Sequence, residues 1–143
     1  MSQTLIDAAK ASVVAYNEKN WDALKHLVTS DFEYDEVATN RKALGAENVT
    51  AAWKGWAIAL PDSKATFDAA HVDGNTVTLE LTWRGTHNGP LQTPGGEIPA
   101  TGKKIEVRAV QIVELTPDGK TRRVRHYFDM LTLLTQLGAT AAV

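Results

Sequence analysis

The stretch VRHYFDMLTLLTQLG, residues 124–138, joins a predicted strand to a predicted helix. We predict that the strand covers residues 121–130. The leucine-rich segment after it forms a short helix ended by Gly138, since glycine favours the left-handed conformation there. One acid, Asp129, lies at this junction among apolar neighbours. A buried carboxylate is unfavourable unless it is paired or its pKa shifts, so Asp129 is the first residue to test for a function.

Before this stretch the chain alternates between apolar and polar residues, as a half-buried strand does. The segments TVTLELTWRGTH (residues 76–87) and KKIEVRAVQIVEL (residues 103–115) show the alternation, and residues 64–72 are also predicted to be extended. Turn signals, DGN at 73–75 and PDG at 117–119, separate these strands. The second half of the chain is therefore predicted to be an antiparallel sheet.

The first half of the chain has helical spacing instead. One helix is predicted over residues 4–18, a shorter one over residues 21–28 with Asn20 as its N-cap, and a third over residues 46–60 before Pro61. Residues 32–37 alternate as a short strand does. Helices followed by antiparallel strands predict a single α+β domain over residues 1–143. A curved antiparallel sheet wrapped around the N-terminal helices would form a cone with an interior.

Composition excludes several classes of function. The chain has 143 residues, no cysteine and a net charge of −2, with 15 basic and 17 acidic residues. Disulfides, thiolate metal sites and cysteine nucleophiles are excluded, and the charge balance argues against a nucleic-acid surface. No apolar run approaches the ~20 residues that span a bilayer, and the first twenty residues lack the pattern of a signal peptide. We therefore expect a cytoplasmic protein with no membrane association.

Three motifs resemble the SnoaL-like polyketide cyclase family, within the NTF2-like superfamily. They are RGTHNGPL at residues 84–91, P-x-T-G-K-K at residues 99–104, and Y-x-D-x-L-x-L-L-x-Q-L-G at residues 127–138. The resemblance implies the NTF2-like cone with an apolar pocket, in a homodimer or homotetramer. It also implies an intramolecular aldol condensation that closes a ring in a polyketide ester, without metal or organic cofactor, and with an aspartate matching Asp129 as the acid/base.

Asp129 has two interpretations. Its apolar neighbours predict a setting that raises the pKa of the carboxylate towards neutrality, where it could remove a proton alpha to a carbonyl. Alternatively, Asp129 directly precedes a helix and is a favoured N-cap residue. The residues alone favour the cap, and the resemblance favours catalysis.

Two histidines lie near the proposed chemistry. His87 closes the RGTH motif and could position or protonate an enolate oxygen, or it could simply bond to the neighbouring loop. His126 lies three residues before Asp129, so on a regular strand the two side chains point to opposite faces. If Asp129 faces the interior, His126 is expected to face outward.

Other polar residues are candidates for substrate binding. Gln111 interrupts an apolar row of its strand and needs either a partner or a ligand. Tyr127 shares the parity of Asp129 and could donate to that carboxylate or to the substrate, or pack with its hydroxyl near water. Trp53, Trp56 and Trp83 could line the pocket against a flat polycyclic ligand, although core packing is the usual role of such residues.

We therefore expect a cofactor-free lyase or isomerase that acts on a small apolar or polycyclic carbonyl substrate, with Asp129 and His87 as catalytic residues. No group of residues has metal-site spacing. The alternatives are a non-catalytic NTF2-like binding protein and an epoxide-hydrolase-like hydrolase. The proline- and glycine-rich segment, residues 88–101, is interpreted either as a lid or as a rigid turn.

Overall fold

A computed structural model describes residues 2–139 and shows one open sheet with helices packed on its concave face. The helices are α1 (Ser2–Asn17), α2 (Leu24–Leu27), α3 (Gly45–Ala59) and α4 (Met130–Gln136). The strands are β1 (Val28–Glu36), β2 (Arg41–Leu44), β3 (Lys64–Asp73), β4 (Thr76–Thr86), β5 (Leu91–Thr93), β6 (Gly96–Ile98), β7 (Lys104–Leu115) and β8 (Thr121–Phe128). The predicted α+β class and the curved sheet around the N-terminal helices are confirmed.

The main sheet has six strands in the order β2-β1-β8-β7-β4-β3. All neighbouring pairs are antiparallel except β1 and β8, which run parallel with Glu36 opposite His126. The sheet is therefore mixed, whereas the sequence pattern predicted an antiparallel one. This single parallel pair brings the first strand beside the last, although they are separated by most of the chain.

The core lies between the concave face of the sheet and helices α1 and α3. Helix α1 contributes Ala9 and Val13, which are almost completely buried, and α3 contributes Val49 and Trp53. The inward residues of the long strands complete the core, and they include Leu79, Leu81, Val113 and Val124. Each fully buried aliphatic side chain of this kind contributes about 1.5–3 kcal/mol to folding. The predicted alternation of β4 and β7 is thus the alternation between the core and the outer face.

The RGTHNG segment has a structural role at the end of β4. A Cβ at Gly89 would lie 2.0 Å from the carbonyl oxygen of Ile58, and a Cβ at Gly85 would lie 3.1 Å from the Cα of Ser63. Gly89 must be glycine because the end of α3 packs directly on its backbone, and the turn that follows α3 packs tightly against Gly85. The motif therefore fixes how α3 and its following turn lie on the sheet.

Two local predictions differ from the structure. The predicted N-cap Asn20 does not begin a helix, because residues 21–23 form turns and α2 starts at Leu24 without a side-chain cap. The predicted loop of residues 88–102 contains a small hairpin of β5 and β6, in which Leu91 pairs with Ile98.

Within residues 2–139, no helix is both long enough and apolar enough to cross a membrane.

Candidate functional site

A cavity opens between α1, α3 and the concave face of the sheet. The empty space between its lining atoms is about 630 Å³, the mouth included, and the volume open to the centres of water molecules is about 70 Å³. A single water needs only about 10–15 Å³ by the second measure. The cavity is therefore too large to be a packing defect, and it has room for several water molecules or a small apolar group.

The walls of the cavity are mainly aromatic. Trp53, Trp56 and Trp83 all line it, together with Tyr16 and Phe128. Several of these rings meet edge to face, with Trp83 and Tyr16 at 5.3 Å between ring centroids and Trp56 and Phe128 at 5.8 Å. Such pairs hold the rings in fixed orientations. The three tryptophans thus lie where the sequence placed them as candidates, although binding of a ligand by them remains a proposal.

A buried carboxylate, Glu36, forms one polar end of the cavity. Its Oε1 accepts hydrogen bonds from Thr39 Oγ1 at 2.6 Å and Arg41 Nη2 at 3.0 Å. Its Oε2 accepts from Tyr34 Oη at 2.8 Å and Trp56 Nε1 at 3.0 Å. Burial raises the pKa of Glu36, but these bonds and the charge of Arg41 outweigh it, so the pKa lies below its ordinary value. Glu36 is therefore an anion inside the protein at neutral pH.

His126 extends this network into the cavity. Its Nδ1 lies 2.8 Å from Tyr34 Oη, and its Nε2 accepts a hydrogen bond from Trp83 Nε1 at 3.2 Å. Burial lowers the pKa of His126 to about 4, although the charge of Glu36 acts in the opposite direction. The imidazole is therefore neutral near pH 7, in a position enclosed by aromatic rings.

The hydrogen bonds determine which tautomer His126 adopts. An indole nitrogen can only donate, so Nε2 must be the unprotonated nitrogen that accepts from Trp83. The proton then lies on Nδ1, which donates to Tyr34, and Tyr34 donates in turn to Glu36. Burial raises the pKa of Tyr34 well above its ordinary value, and the charge of Glu36 adds to this. The chain from Glu36 through Tyr34 to His126 therefore leaves Nε2 unprotonated, with Trp83 Nε1 as its hydrogen-bond donor.

Gln111 lies directly opposite His126 in the pairing of β7 with β8. Its side chain is 3% exposed and lines the cavity, and its Oε1 has no hydrogen-bond partner among the described residues. An unpaired buried polar group costs about 1–3 kcal/mol, which a ligand that pairs with it would recover. The inward position expected for Gln111 is observed.

Asp129 lies outside the cavity, so its predicted apolar setting is wrong. It is the N-cap of α4: its Oδ1 accepts from the backbone N–H groups of Leu131 at 3.0 Å and Thr132 at 3.2 Å. Its Oδ2 accepts from Thr132 Oγ1 at 2.8 Å. The bond from the Thr132 side chain and those from the backbone lower the pKa of Asp129, rather than raise it. The physical reason is that β8 ends at Phe128 and Asp129 stays exposed to solvent.

Tyr127 and His126 are reversed relative to the expectation. Tyr127 shares the side of Asp129, as predicted, but that side is the outer face, where Tyr127 is 39% exposed. His126 was expected to point outward and instead points into the core, with an exposure of 5%. Both errors have one cause: Val124, His126 and Phe128 form the inward row of β8, so Tyr127 and Asp129 must belong to the outward row.

His87 is buried but does not line the cavity. Its Nδ1 contacts Thr101 Oγ1 at 2.9 Å and accepts from the backbone N–H of Thr101 at 3.2 Å. Burial lowers the pKa of His87, offset by a bond to the backbone of Gly89. The catalytic position predicted for His87 is therefore not formed, because its ring ties β4 to the segment before β7, as the structural alternative required.

The sequence analysis missed Glu36 and Tyr34 as site residues. The available signal was parity, since Phe32, Tyr34 and Glu36 share one face of β1 and Phe32 is completely buried. A carboxylate on the face of two aromatic residues has to be inside and partnered.

Among residues 2–139, no group of three or more His, Asp or Glu side chains lies close enough to hold a metal ion.

The chain matches the SnoaL-like polyketide cyclase family over residues 6–137. It belongs to that family. No curated protein matches the chain in sequence.

Solved structures agree with this assignment. TsrD from Streptomyces laurentii is 29% identical, with a TM-score of 0.76 over 96% of this chain and 95% of that one. A protein of ketosteroid isomerase-like fold from Catenulispora acidiphila, solved with trimethylamine, is 20% identical with a TM-score of 0.79, over 96% of each chain. An LEH-like epoxide hydrolase of M. tuberculosis is 17% identical with a TM-score of 0.71, over 94% of this chain and 90% of that one. The last two show the fold alone.

Proposed function

We propose that the protein is a cofactor-free cyclase in which His126, rather than Asp129, is the general base. In this proposal Nε2 of His126 removes a proton alpha to a carbonyl of a substrate held in the aromatic cavity. The observation that carries the proposal is the unprotonated Nε2 of His126, a residue that lines the cavity and is backed by Tyr34 and the anionic Glu36. Family membership supports the choice of reaction, an intramolecular aldol condensation, over other reactions that start from an enolate.

The network explains how a base of low pKa can serve. A base with a pKa of roughly 4.6 is sufficient for alpha-proton removal from a ketosteroid, and the pKa of His126 is about 4. When Nε2 takes up the proton, the imidazolium forms next to Tyr34, whose hydroxyl is polarised by Glu36. The buried negative charge of Glu36 then stabilises the positively charged ring, which lowers the barrier to proton removal. The stabilisation is larger than it would be in bulk water, because water screens such charges.

The substrate carbonyl needs a donor as the enolate forms. The amide NH₂ of Gln111 can donate to the enolate oxygen, because Gln111 lines the cavity and lies opposite His126 in the pairing of β7 with β8. The Trp83 indole N–H becomes a second donor once substrate displaces its 3.2 Å bond to His126, which is long for an N–H···N contact. Both donors belong to residues next to the base, one paired with His126 across the strands and one bonded to it, so they can stabilise the charge that develops on oxygen.

Ring closure follows from the enolate without any further reagent. The enolate carbon attacks a second carbonyl carbon of the same molecule, and the new alkoxide takes the proton back from the His126 imidazolium. One carbon–carbon bond forms, the proton is returned, and neutral His126 is regenerated. The aromatic walls contribute by holding the flexible chain folded with its two reacting carbons close together.

Deuterium exchange into a simple ketone tests the base directly. We expect the protein to accelerate the exchange of the C1 protons of 2-tetralone in D₂O, followed by proton NMR. His126→Asn should reduce that acceleration by about 10²-fold or more, the usual contribution of a general base. Asp129→Asn is the matched control, since asparagine is also a good N-cap, and it should exchange at the wild-type rate. A wild-type rate in His126→Asn, or a lost rate in Asp129→Asn, would contradict the proposal.

A non-catalytic binding protein is the second candidate. It is favoured by one observation: both ring nitrogens of His126 already have hydrogen-bond partners, so the network is complete without a substrate. In that case 2-tetralone should quench the cavity tryptophans on binding but exchange no faster than in buffer. The same two measurements therefore separate the carrier from the enzyme.

A further inference from the structure

A second pair of polar side chains lines the cavity, apart from the network around Glu36. The hydroxyls of Tyr16, on α1, and Ser63, in the turn before β3, lie 2.6 Å apart. Both side chains line the cavity and are buried, with residue exposures of 5% and 3%. Trp83 stands between this pair and the base, since its ring centroid is 5.3 Å from that of Tyr16 and 6.0 Å from that of His126.

The two hydroxyls have more hydrogen-bonding capacity than their mutual bond uses. Each carries one O–H donor, and one bond between them can consume only one of the two. Among the described residues, neither hydroxyl oxygen has another hydrogen-bond partner. Whichever of the two donates, one O–H is left over at the wall of an otherwise apolar cavity. A buried donor without a partner is unfavourable, so the pair is suited to an oxygen acceptor on a ligand.

The pair is also neutral under ordinary conditions. Burial raises the pKa of Tyr16 to about 12, although the bond from Ser63 acts in the opposite direction. Tyr16 therefore keeps its proton and acts as a hydrogen-bond donor, not as a base. An uncharged acceptor such as a carbonyl, ether or hydroxyl oxygen can take the spare O–H without bringing a second anion into the cavity that already holds the Glu36 carboxylate.

Several contacts fix the position of Ser63. Gly85 leaves just enough room for it, because a Cβ at Gly85 would lie 3.1 Å from both Cα and Cβ of Ser63. Asp62 accepts from the backbone N–H of Thr86 at 2.6 Å and from its Oγ1 at 2.8 Å. Lys19 Nζ donates to the carbonyl oxygen of Ser63. The glycine and threonine of the RGTH motif thus position this turn, whereas its histidine does not reach the cavity.

We propose that Tyr16 and Ser63 form a second oxygen-binding subsite, so that the substrate is a flat ketone with another uncharged oxygen at its far end. The reacting carbonyl would lie at His126 and Gln111, and the second oxygen would lie across Trp83 at the hydroxyl pair. The inference rests on the proposed function in one respect only, the choice of the end of the substrate that reacts. The subsite itself follows from the hydroxyl pair and the cavity.

Binding of two matched ketones tests the subsite without requiring turnover. The probes are 2-acetylnaphthalene and 6-methoxy-2-acetylnaphthalene, which differ in the oxygen at the far end, and quenching of tryptophan fluorescence measures their dissociation constants. We expect wild type to bind the methoxy ketone about 10-fold more tightly, since one added hydrogen bond is worth about 1–1.5 kcal/mol. The double variant Tyr16→Phe/Ser63→Ala should bind the two ketones equally. Ser63→Ala alone should keep most of the preference, because Tyr16 keeps its O–H as a donor for the ligand.

The control is Tyr127→Phe, which removes an exposed hydroxyl on the outer face and should keep the wild-type preference. Equal affinities of wild type for the two ketones, or no binding of either, overturn the subsite even if every variant unfolds. Retention of the preference in the folded double variant also overturns it. The two proposals fail separately, because His126→Asn should lose exchange but keep the preference for the methoxy ketone. Preference without exchange in wild type would contradict only the general base.

Discussion

Two carboxylates of this protein, Glu36 inside the cone and Asp129 at the β8–α4 corner, are both held as anions, but by different surroundings. Asp129 is exposed and is satisfied by two backbone N–H groups and one side chain within three residues of itself. Glu36 is completely buried and accepts from four side chains, including Trp56 on another element. The comparison teaches that a local sequence motif can mark an anion without marking the active site.

Replacing each carboxylate with the matching amide should give the largest difference in stability between Glu36 and Asp129. Glu36→Gln places an NH₂ group among four donors, two of which then lose their acceptor. We expect a loss of at least about 2 kcal/mol in the free energy of unfolding, because each buried donor left without an acceptor costs about 1–3 kcal/mol. Asp129→Asn keeps the cap and should lose less than about 1 kcal/mol. Urea denaturation followed by tryptophan fluorescence measures both, and equal losses would mean that Glu36 is not the anchor of the site.

The pH dependence of stability should reveal the buried histidine next to Glu36. Burial lowers the folded pKa of His126 to about 4, below its ordinary value of 6.5. Between pH 4 and pH 6.5 the unfolded chain binds more protons than the folded protein, so the free energy of unfolding rises with pH across this window. The stability that the neutral His126 contributes is lost as the pH falls from 6.5 to 4. The change attributable to His126 is at most roughly 3 kcal/mol.

His126→Asn is the control for this measurement, because it removes the titrating group from a position of similar size. Urea denaturation at several pH values should give a shallower slope for the variant than for wild type. Identical slopes would show that His126 does not lie neutral in the core. Asp129→Asn should keep the wild-type slope in the window, since the pKa of Asp129 lies below its ordinary value of 3.8 and its titration falls below this pH range.

A pair of tyrosines on the two faces of the sheet gives a smaller but cleaner contrast. Tyr34→Phe removes the link between Glu36 and His126, so we expect a loss of about 1–3 kcal/mol in stability and slower exchange of 2-tetralone. Tyr127→Phe removes an exposed hydroxyl and should change stability by no more than about 0.5 kcal/mol. Urea denaturation and NMR exchange measure both quantities. Normal exchange in Tyr34→Phe would exclude Tyr34 from the relay to the base.

Much of this arrangement could be predicted from local patterns. The alternation of β4 and β7 identified the inward row that contains Gln111, and the position of Asp129 before a leucine-rich segment identified an N-cap. The same reasoning applied to β8 would have placed His126 inside, because Arg123, Arg125 and Tyr127 alternate with Val124 and His126. The family resemblance instead suggested that Asp129 faces the interior. His126, on the opposite face of β8, was then assigned to the outer face.

The partners of the site could not be predicted in this way. Tyr34 and His126 are 92 residues apart and meet only because β1 pairs in parallel with β8, which places Glu36 opposite His126. Tyr16 and Ser63 are 47 residues apart and meet because α1 packs beside the turn after α3. No periodicity within a segment specifies which strand becomes its neighbour, since that choice depends on how the whole sheet is ordered.

The sequence by itself determined the class of fold, the inward and outward rows of the long strands and the cap at Asp129, because backbone periodicity and capping are set by residues a few positions apart. Only the tertiary structure decided which polar groups share the cavity and which ring nitrogen of His126 is unprotonated. A pKa and a tautomer depend on burial and on partners from distant segments, and those partners exist only after the strands have paired.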